Sequence, residues 1–333
     1  MNSIKYLTLI VSYECSAECE HCCLSASPRF NTWMTPEEAE GYIKTITATN
    51  SLDVGITIVG GEPLLNVDLI IKITGIARKY GVGKIGVDSN ASWATTIEKA
   101  IAILTRVKDA NISLGISADA FHQNFIPMSC VSNALEAARR IGYPVGCASR
   151  FLDSQDAVNP YDKETLRIIS SLRAEYSEKD VNFSSDRAVF QGRGINLSNR
   201  YEGRTCLPTD TCRGVPWFAT EDFAKLGGIQ IDPLGWVMVD HGICIGNVKE
   251  ATLTEILDSY QPSSHPILSV LMKEGPLGLA RMAESLGYHM RESGYADKCH
   301  LCHEVRTFLR PNFPGVLEPA HYYPEMIKGL IEC

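Results

Sequence analysis

The chain lacks the marks of several common functional classes. No apolar run approaches the roughly 20 residues that a membrane-spanning helix needs, so no membrane role is expected. Basic residues are outnumbered, with 31 Lys and Arg against 39 Asp and Glu and a net charge of −8. Neutralising a phosphate backbone takes clustered positive charge, so no nucleic-acid partner is expected. Met1 to Lys5 lead straight into a strand-like run without a secretory signal pattern, which makes the cytoplasm the expected location. There is no low-complexity tract, and the only repeat is an alternation of strand-like and helix-like segments.

What the chain has in excess is cysteine, 12 among 333 residues. In a reducing compartment such thiols are expected as ligands or catalytic groups rather than disulfides. They segregate along the sequence. Cys15, Cys19, Cys22 and Cys23 lie near the start; Cys206, Cys212, Cys244, Cys299 and Cys302 lie late, with Cys333 trailing. Cys130 and Cys147 fall between and read, with Cys23 and Cys333, as small hydrophobes or incidental thiols. The segregation suggests two metal centres.

Up to about residue 190, apolar β-branched runs recur at Tyr6–Ser12, Val54–Val59, Lys84–Asp88, Asn111–Ser117, Tyr143–Arg150 and Val181–Ser185. Helical segments separate them. Thr35-Pro36-Glu37-Glu38 combines an N-cap, a first-turn proline and a capping-box glutamate, and Thr95 to Glu98 repeats the box pattern. Asn66 opens a segment that Gly81 closes, and Gly142 follows another. Such βα repeats predict a parallel sheet with functional loops at the strands' carboxyl ends. Six units are too few for a closed eightfold barrel, so the expected fold is α/β, a partial (β/α)6 barrel over residues 1–195. Beyond it the pattern changes to Cys-containing loops, an apparent hairpin of Gly228–Asp232 and Trp236–Asp240, and helical stretches at Thr252–Tyr260 and Leu277–Arg291. Residues 196–333 are therefore expected to form a smaller domain held together by metal.

Glu14 to Cys22 reads Cys-x3-Cys-x2-Cys directly after the first strand. Three thiolates in one short loop suit three irons of a 4Fe–4S cluster. The open fourth iron is then free to chelate a small molecule, as catalytic metal sites keep an exchangeable position. The competing reading is a structural zinc or ferredoxin-like site with Cys23 as fourth ligand. Adjacent Cys22 and Cys23 cannot easily both point at one cluster.

This loop, placed at the end of the first strand, resembles the signature of the radical S-adenosylmethionine (SAM) superfamily. The position before the third cysteine is usually aromatic in that family; here it is His21, whose ring can pack flat on an adenine. The resemblance implies a SAM-binding 4Fe–4S cluster on Cys15, Cys19 and Cys22. It also implies reductive SAM cleavage to a 5′-deoxyadenosyl radical that abstracts hydrogen from substrate. Gly60, Gly61, Glu62 and Pro63, one βα unit later, match the family's Gly-Gly-Glu motif and are implied contacts of the SAM amino group. Ser89 after strand three, Ser117 or Asp119 after strand four for the ribose, and Arg150 for the SAM carboxylate complete the implied set. Asn90 and Asp119 equally suit helix caps, and Arg150 a solvated loop.

Lys298 to His303 carries a Cys-x-x-Cys, and Gly242 to Gly246 a glycine-flanked cysteine. The late set resembles the auxiliary-cluster domains appended to many radical SAM enzymes, in the short twitch form rather than the longer SPASM form. That implies a second, auxiliary 4Fe–4S cluster on Cys212, Cys244, Cys299 and Cys302, with a four-cysteine zinc site as the alternative. Cys206 is left over, either as a ligand exchanged with Cys212, as an inert thiol, or as a catalytic hydrogen-atom donor of the kind in radical SAM peptide epimerases.

Three functions follow as expectations. The first is modification of a ribosomally made peptide by epimerisation or cross-linking, without a fused leader-recognition domain. The second is dehydrogenation or rearrangement of a small molecule, and the third a non-catalytic iron–sulfur or zinc protein. The expected partners are a peptide or small-molecule substrate and an electron donor such as flavodoxin or ferredoxin.

Overall fold

The computed structural model describes residues 4–49, 54–156, 158–202, 205–214 and 222–324. Cys333, Gly203 and Arg204 lie outside these. Packing divides the chain into two interleaved units: residues 1–19, 26–188 and 226–235 form the first, and 20–25, 189–225 and 236–333 the second.

The first unit is built on parallel strands. β1 (Tyr6–Ile10), β2 (Gly55–Val59), β3 (Lys84–Ser89), β4 (Ser113–Ser117), β5 (Val145–Phe151) and β6 (Val181–Arg187) pair in sequential order, each parallel to the next. Helices α1 (Pro36–Thr49), α2 (Val67–Lys79), α3 (Ile97–Asp109), the short α4 (Ala120–Gln123) with α5 (Met128–Arg140), and α6 (Pro160–Glu175) form the crossovers. This is the α/β partial barrel that six βα units predict. One strand was not foreseen in its role. β7 (Gly228–Ile231), an arm of the expected hairpin, pairs parallel to β1 on its far side, with Leu7 against Ile229 and Leu9 against Ile231. The turn after it is closed by Gly235 N–H donating to the Asp232 carbonyl at 3.0 Å, with Gly235 at φ +90°.

Strand alternation separates two faces. Ile56, Ile58, Ile85, Val87, Leu114, Ile116, Val145 and Cys147 are buried on one face. The register places Asp88, Gly115, Gly146 and Asn182 in one row of the other face, Ser117, Ala148 and Ser184 in the next, and Arg150 with Asp186 nearest the carboxyl ends. Small and polar residues thus line the face not used for the apolar core.

Helix starts follow local chemistry. At α1, Thr35 and Glu38 make the reciprocal box: the Glu38 N–H donates to Thr35 Oγ1 at 3.1 Å and the Thr35 N–H to Glu38 Oε2 at 2.7 Å. At α3 the cap is Thr96, which accepts from the Lys99 N–H, one residue beyond the expected box. Asp162, 1% exposed, anchors the loop after β5. Its carboxylate accepts from the N–H groups of Leu152, Asp153 and Ser154 and from Asn159 Nδ2, at 2.6 to 3.1 Å.

The second unit contains a 3₁₀ segment (Gly192–Arg200), an antiparallel pair β8 (Trp236–Asp240) and β9 (Ile243–Asn247), and helices α7 (Leu253–Asp258), α8 (Leu268–Glu284) and α9 (Lys298–Leu309). The helical stretch expected at Leu277–Arg291 begins earlier and ends earlier. It is broken internally at Gly275, φ +70°, ahead of Pro276, and it stops short of Gly287, φ +94°. Among the described residues no helix is long and apolar enough to cross a membrane.

Asp162→Ala leaves several buried donors without an acceptor. The unfolding free energy should fall by about 3 kcal/mol in a denaturant titration; a loss well under 1 kcal/mol would show that the loop after β5 is held by other contacts.

Candidate radical SAM site and second thiol site

The first cysteine loop leaves β1 and is closed by the chain folding back on itself. The Ser27 N–H donates to the Tyr13 carbonyl at 3.1 Å, the Cys15 N–H to the Ser27 carbonyl at 3.2 Å, and the Met34 N–H to the Val11 carbonyl at 2.8 Å. Trp33 Nε1 donates to Glu14 Oε2 at 2.7 Å. Within the first unit Cys15 and Cys19 are both buried.

The end of β2 is laid directly against this loop. The Gly61 N–H donates to the Ser12 carbonyl and the Glu62 N–H to the Glu14 carbonyl, each at 2.9 Å. A Cβ on Gly61 would stand 1.9 Å from the Glu14 carbonyl oxygen, and one on Gly60 2.5 Å from that of Ser12. Both glycines are therefore required by backbone against backbone, before any ligand is considered.

Glu62 is 1% exposed and works inward. Oε1 accepts from the Leu64 N–H and from Ser89 Oγ, both at 2.9 Å, and Oε2 from the Asn90 N–H at 2.6 Å. Burial raises its carboxyl to a pKa of about 7, against the opposing pull of these donors and of His122. Ser89 Oγ also accepts from the Ala91 N–H and from Trp93 Nε1. Asn90 then reaches the cysteine loop: Nδ2 donates to Ser16 Oγ at 3.2 Å and to Cys15 Sγ at 3.5 Å. The ends of β2 and β3 and the cysteine loop are thus one hydrogen-bonded assembly. Asn90 was expected either as a strand-end candidate beside Ser89 or as a helix cap; its aim at Cys15 depends on strand order, which local sequence does not carry.

At the end of β4 the Asp119 carboxylate accepts from the N–H groups of Phe121 and His122 at 3.0 Å and from the Arg150 N–H at 3.1 Å, so it caps α4 and fastens β5. Ser117 stays half-buried on the polar face. Arg150 extends to Asp186 at 3.0 Å, in an exposed pair that binds its guanidinium only weakly. Asp88, which sequence reasoning missed, lies exposed on the same polar face.

The second unit gathers the late thiols. Cys299 and Cys302 lie in the first two turns of α9, whose N-cap Asp297 accepts from the His300 N–H at 2.8 Å. Cys302 and Cys244 are buried. Burial pushes the Cys302 thiol up to about 12, with Arg306 opposing, and the charges of Cys212 and Asp240 raise it further. Cys299 is raised by burial and then by Asp297, Asp240, Cys302 and Cys212. Cys212 is held by its N–H to the Leu271 carbonyl at 2.9 Å, and Cys244 Sγ lies 3.2 Å from the Glu318 carbonyl. Cys206 differs in being exposed; it exchanges two backbone hydrogen bonds with Tyr295, at 3.0 and 2.8 Å.

Residues 9–152 match the sequence profile of the Radical SAM superfamily. This chain carries a radical SAM domain. A stretch of 141 residues is 29% identical to the putative peptide biosynthesis protein YydG of Bacillus subtilis (strain 168), covering 42% of this chain and 43% of that protein. The match thus spans less than half the length of that relative. Among solved structures, native anSMEcpe with bound AdoMet superposes with a TM-score of 0.51 at 12% identity, over 96% of this chain and 94% of the other. At that identity the likeness is one of fold.

The donor chemistry at the first loop fits the iron–sulfur cluster of a radical SAM domain. Buried soft thiols stand beside a neutral amide donor, and the adjoining backbone admits no competing side chain.

Gly61→Ala should disrupt that approach, lowering both the iron bound by the first loop and the unfolding free energy, the latter by about 2 kcal/mol. Gly41→Ala in α1, where nothing lies within 4 Å of the added carbon, is the control: the iron should be unchanged and the unfolding free energy should rise, by up to about 1 kcal/mol.

Proposed function

We propose that the protein is a radical SAM enzyme that epimerises a residue of a ribosomally made peptide. The carrying observation is the assembly that joins Glu62, Ser89 and Asn90 to the Cys15 loop. In this reading Cys15, Cys19 and Cys22 hold the 4Fe–4S cluster whose open iron takes SAM. The backbone of Gly60 to Pro63 faces the SAM amino group, with Glu62 and Ser89 fixing that edge. Ser117 takes the ribose at a strand end shaped by Asp119, and Arg150 exchanges its exposed Asp186 partner for the SAM carboxylate. When bound, the cluster and SAM supply a 5′-deoxyadenosyl radical, made with methionine by one-electron cleavage of the sulfonium, that takes a hydrogen atom from substrate.

The peptide class is supported by the peptide biosynthesis relative. Epimerisation is supported by Cys206, exposed where Cys212 and Cys299 are half-buried and Cys244 and Cys302 buried. Its S–H gives one hydrogen atom to the α-carbon radical from the opposite face. The sulfur radical left behind is restored by one electron and one proton, the electron coming from a flavodoxin or ferredoxin. Cys212, Cys244, Cys299 and Cys302 are the proposed ligands of the auxiliary cluster. Cys212 supports that choice over Cys206, because it lies close enough to Cys299 and Cys302 for its ionisation to be felt by both thiols.

Reduced protein incubated with SAM should release 5′-deoxyadenosine, and Cys15→Ala should abolish the release. Reconstituted protein should hold roughly eight irons per chain rather than four. No SAM cleavage in iron-loaded protein would end the reading. In D2O with peptide substrate, epimerisation adds deuterium at an α-carbon, whereas a product two mass units lighter indicates cross-linking or dehydrogenation. Cys206→Ala should keep iron and 5′-deoxyadenosine formation while losing the epimer; unchanged epimer would remove Cys206 from the mechanism.

A further inference from the structure

Arg306 is the least expected side chain in the second unit. It is a fully buried cation, 0% exposed, among the largest buried side chains of the protein. Its helical spacing places it one turn after Cys302 and two after Cys299, on the same face of α9. Nη1 is satisfied: it donates to the His241 carbonyl at 2.7 Å and to the Tyr323 hydroxyl at 3.3 Å. Among the described residues Nε and Nη2 make no hydrogen bond of normal geometry, and the sulfur group toward which Arg306 acts as a donor is the Cys302 thiol. The nearest acid, Asp240, stands 3.8 Å from Nη2, beyond hydrogen-bond reach, and its carboxylate accepts from the His241 N–H at 2.8 Å.

A buried guanidinium is costly unless an anion meets it. Burial opposes the charge of Arg306, and the groups around it that could hold a countering negative charge are Tyr323, Cys302, Asp240 and Cys299. Tyr323 spends its own proton on the Gly242 carbonyl and stacks on His303 at 5.2 Å between ring centroids, so it is a neutral neighbour. One carboxylate out of reach does not satisfy these two donors. An iron–sulfur cluster on four thiolates is a net anion in both oxidation states and gains one further negative charge on reduction. Hydrogen bonds and charge near its sulfurs set its reduction potential.

We propose that Arg306 tunes the auxiliary cluster, its Nε and Nη2 donors turning to cluster sulfur and its charge favouring the reduced state, while Asp240 opposes it. This rests on the reading of Cys212, Cys244, Cys299 and Cys302 as iron–sulfur ligands. Arg306 is a positioning and charge-supplying residue, with no contact to substrate in this role. The outcome is an auxiliary site easier to reduce than its burial alone would make it.

The test uses the full chain with Cys15, Cys19 and Cys22 all changed to Ala, so that any remaining iron belongs to the late cysteines. After reconstitution with iron and sulfide, metals are counted and the cluster is titrated potentiometrically with detection by electron paramagnetic resonance. Roughly four irons are expected. Arg306→Met should shift the midpoint negative, with the reduced-to-oxidised ratio at fixed potential falling about tenfold (about 59 mV for one electron). Arg306→Lys should fall between. Asp240→Asn should shift the midpoint positive. A purely structural role would not give opposite signs. An iron-loaded Arg306→Met with unmoved potential overturns the proposal and leaves the cluster reading standing. Should Arg306→Met lose its iron, Asp240→Asn decides: a positive shift supports the proposal and no shift overturns it. Zinc in place of iron in the triple variant overturns the cluster reading and the proposal together.

Discussion

The first unit depends on one buried carboxylate. Glu62 sits where the end of β2 meets the end of β3, and its two oxygens collect donors from Leu64, Ser89 and Asn90. Without an anion there, those donors would be buried and unmet, each at a cost of about 1 to 3 kcal/mol. Burial works against the charge and the donors work for it, which leaves a carboxyl of pKa about 7, partly ionised near neutral pH. The same residue caps a 3₁₀ turn over Pro63–Asn66, its side chain accepting from the Leu64 N–H. Its backbone N–H holds the carbonyl of Glu14, beside the first cysteine. Fold and site share this group, so the Gly-Gly-Glu-Pro stretch is as much a clamp between strands as a surface for a ligand.

That double role explains what could be read from sequence. The six-unit sheet was legible because each strand and each cap is a local pattern. Thr35 with Glu38, Asn66 before α2 and Gly142 after α5 all stand where the pattern puts them. The cysteine spacing is likewise local. Pairing across distance is not. β7 carries a short apolar run that fits a hairpin arm, yet its parallel pairing with β1 depends on a partner more than 200 residues earlier. The aim of Asn90 and the place of Asp88 were obscure for the same reason: their neighbours are set by strand order. Arg306 was hidden differently. A single arginine four residues after a Cys-x-x-Cys looks like a solvated helix face, and only burial reveals it.

The two thiol groups sit in contrasting electrostatic surroundings. At the first loop a donor to the Cys15 sulfur is the neutral amide of Asn90, whose backbone N–H is bound by Glu62. At the late set the neighbouring cation is a guanidinium that no solvent reaches. A neutral donor steadies a thiolate without rewarding an added electron, whereas a buried positive charge rewards it directly. On the reading proposed above, the surroundings favour electron release at the first loop and electron retention at the second.

Cys206 follows from the same contrast. Its backbone is tied to Tyr295, four residues ahead of Cys299, so its place is fixed by the segment that leads into α9. The side chain nevertheless stays exposed, while Cys244 and Cys302 are sealed. A hydrogen-atom donor needs that combination. The S–H bond must remain intact and reachable, which metal ligation would remove, and the backbone must keep it from wandering, which a mobile surface thiol could not. Cys299 and Cys302 meet the opposite requirement, because thiols so deeply desolvated resist ionisation until a metal takes the proton's place. On the reading proposed above, the half-buried or buried Cys212, Cys244, Cys299 and Cys302 are suited to hold iron, and Cys206, the exposed one among the described late cysteines, to hold hydrogen.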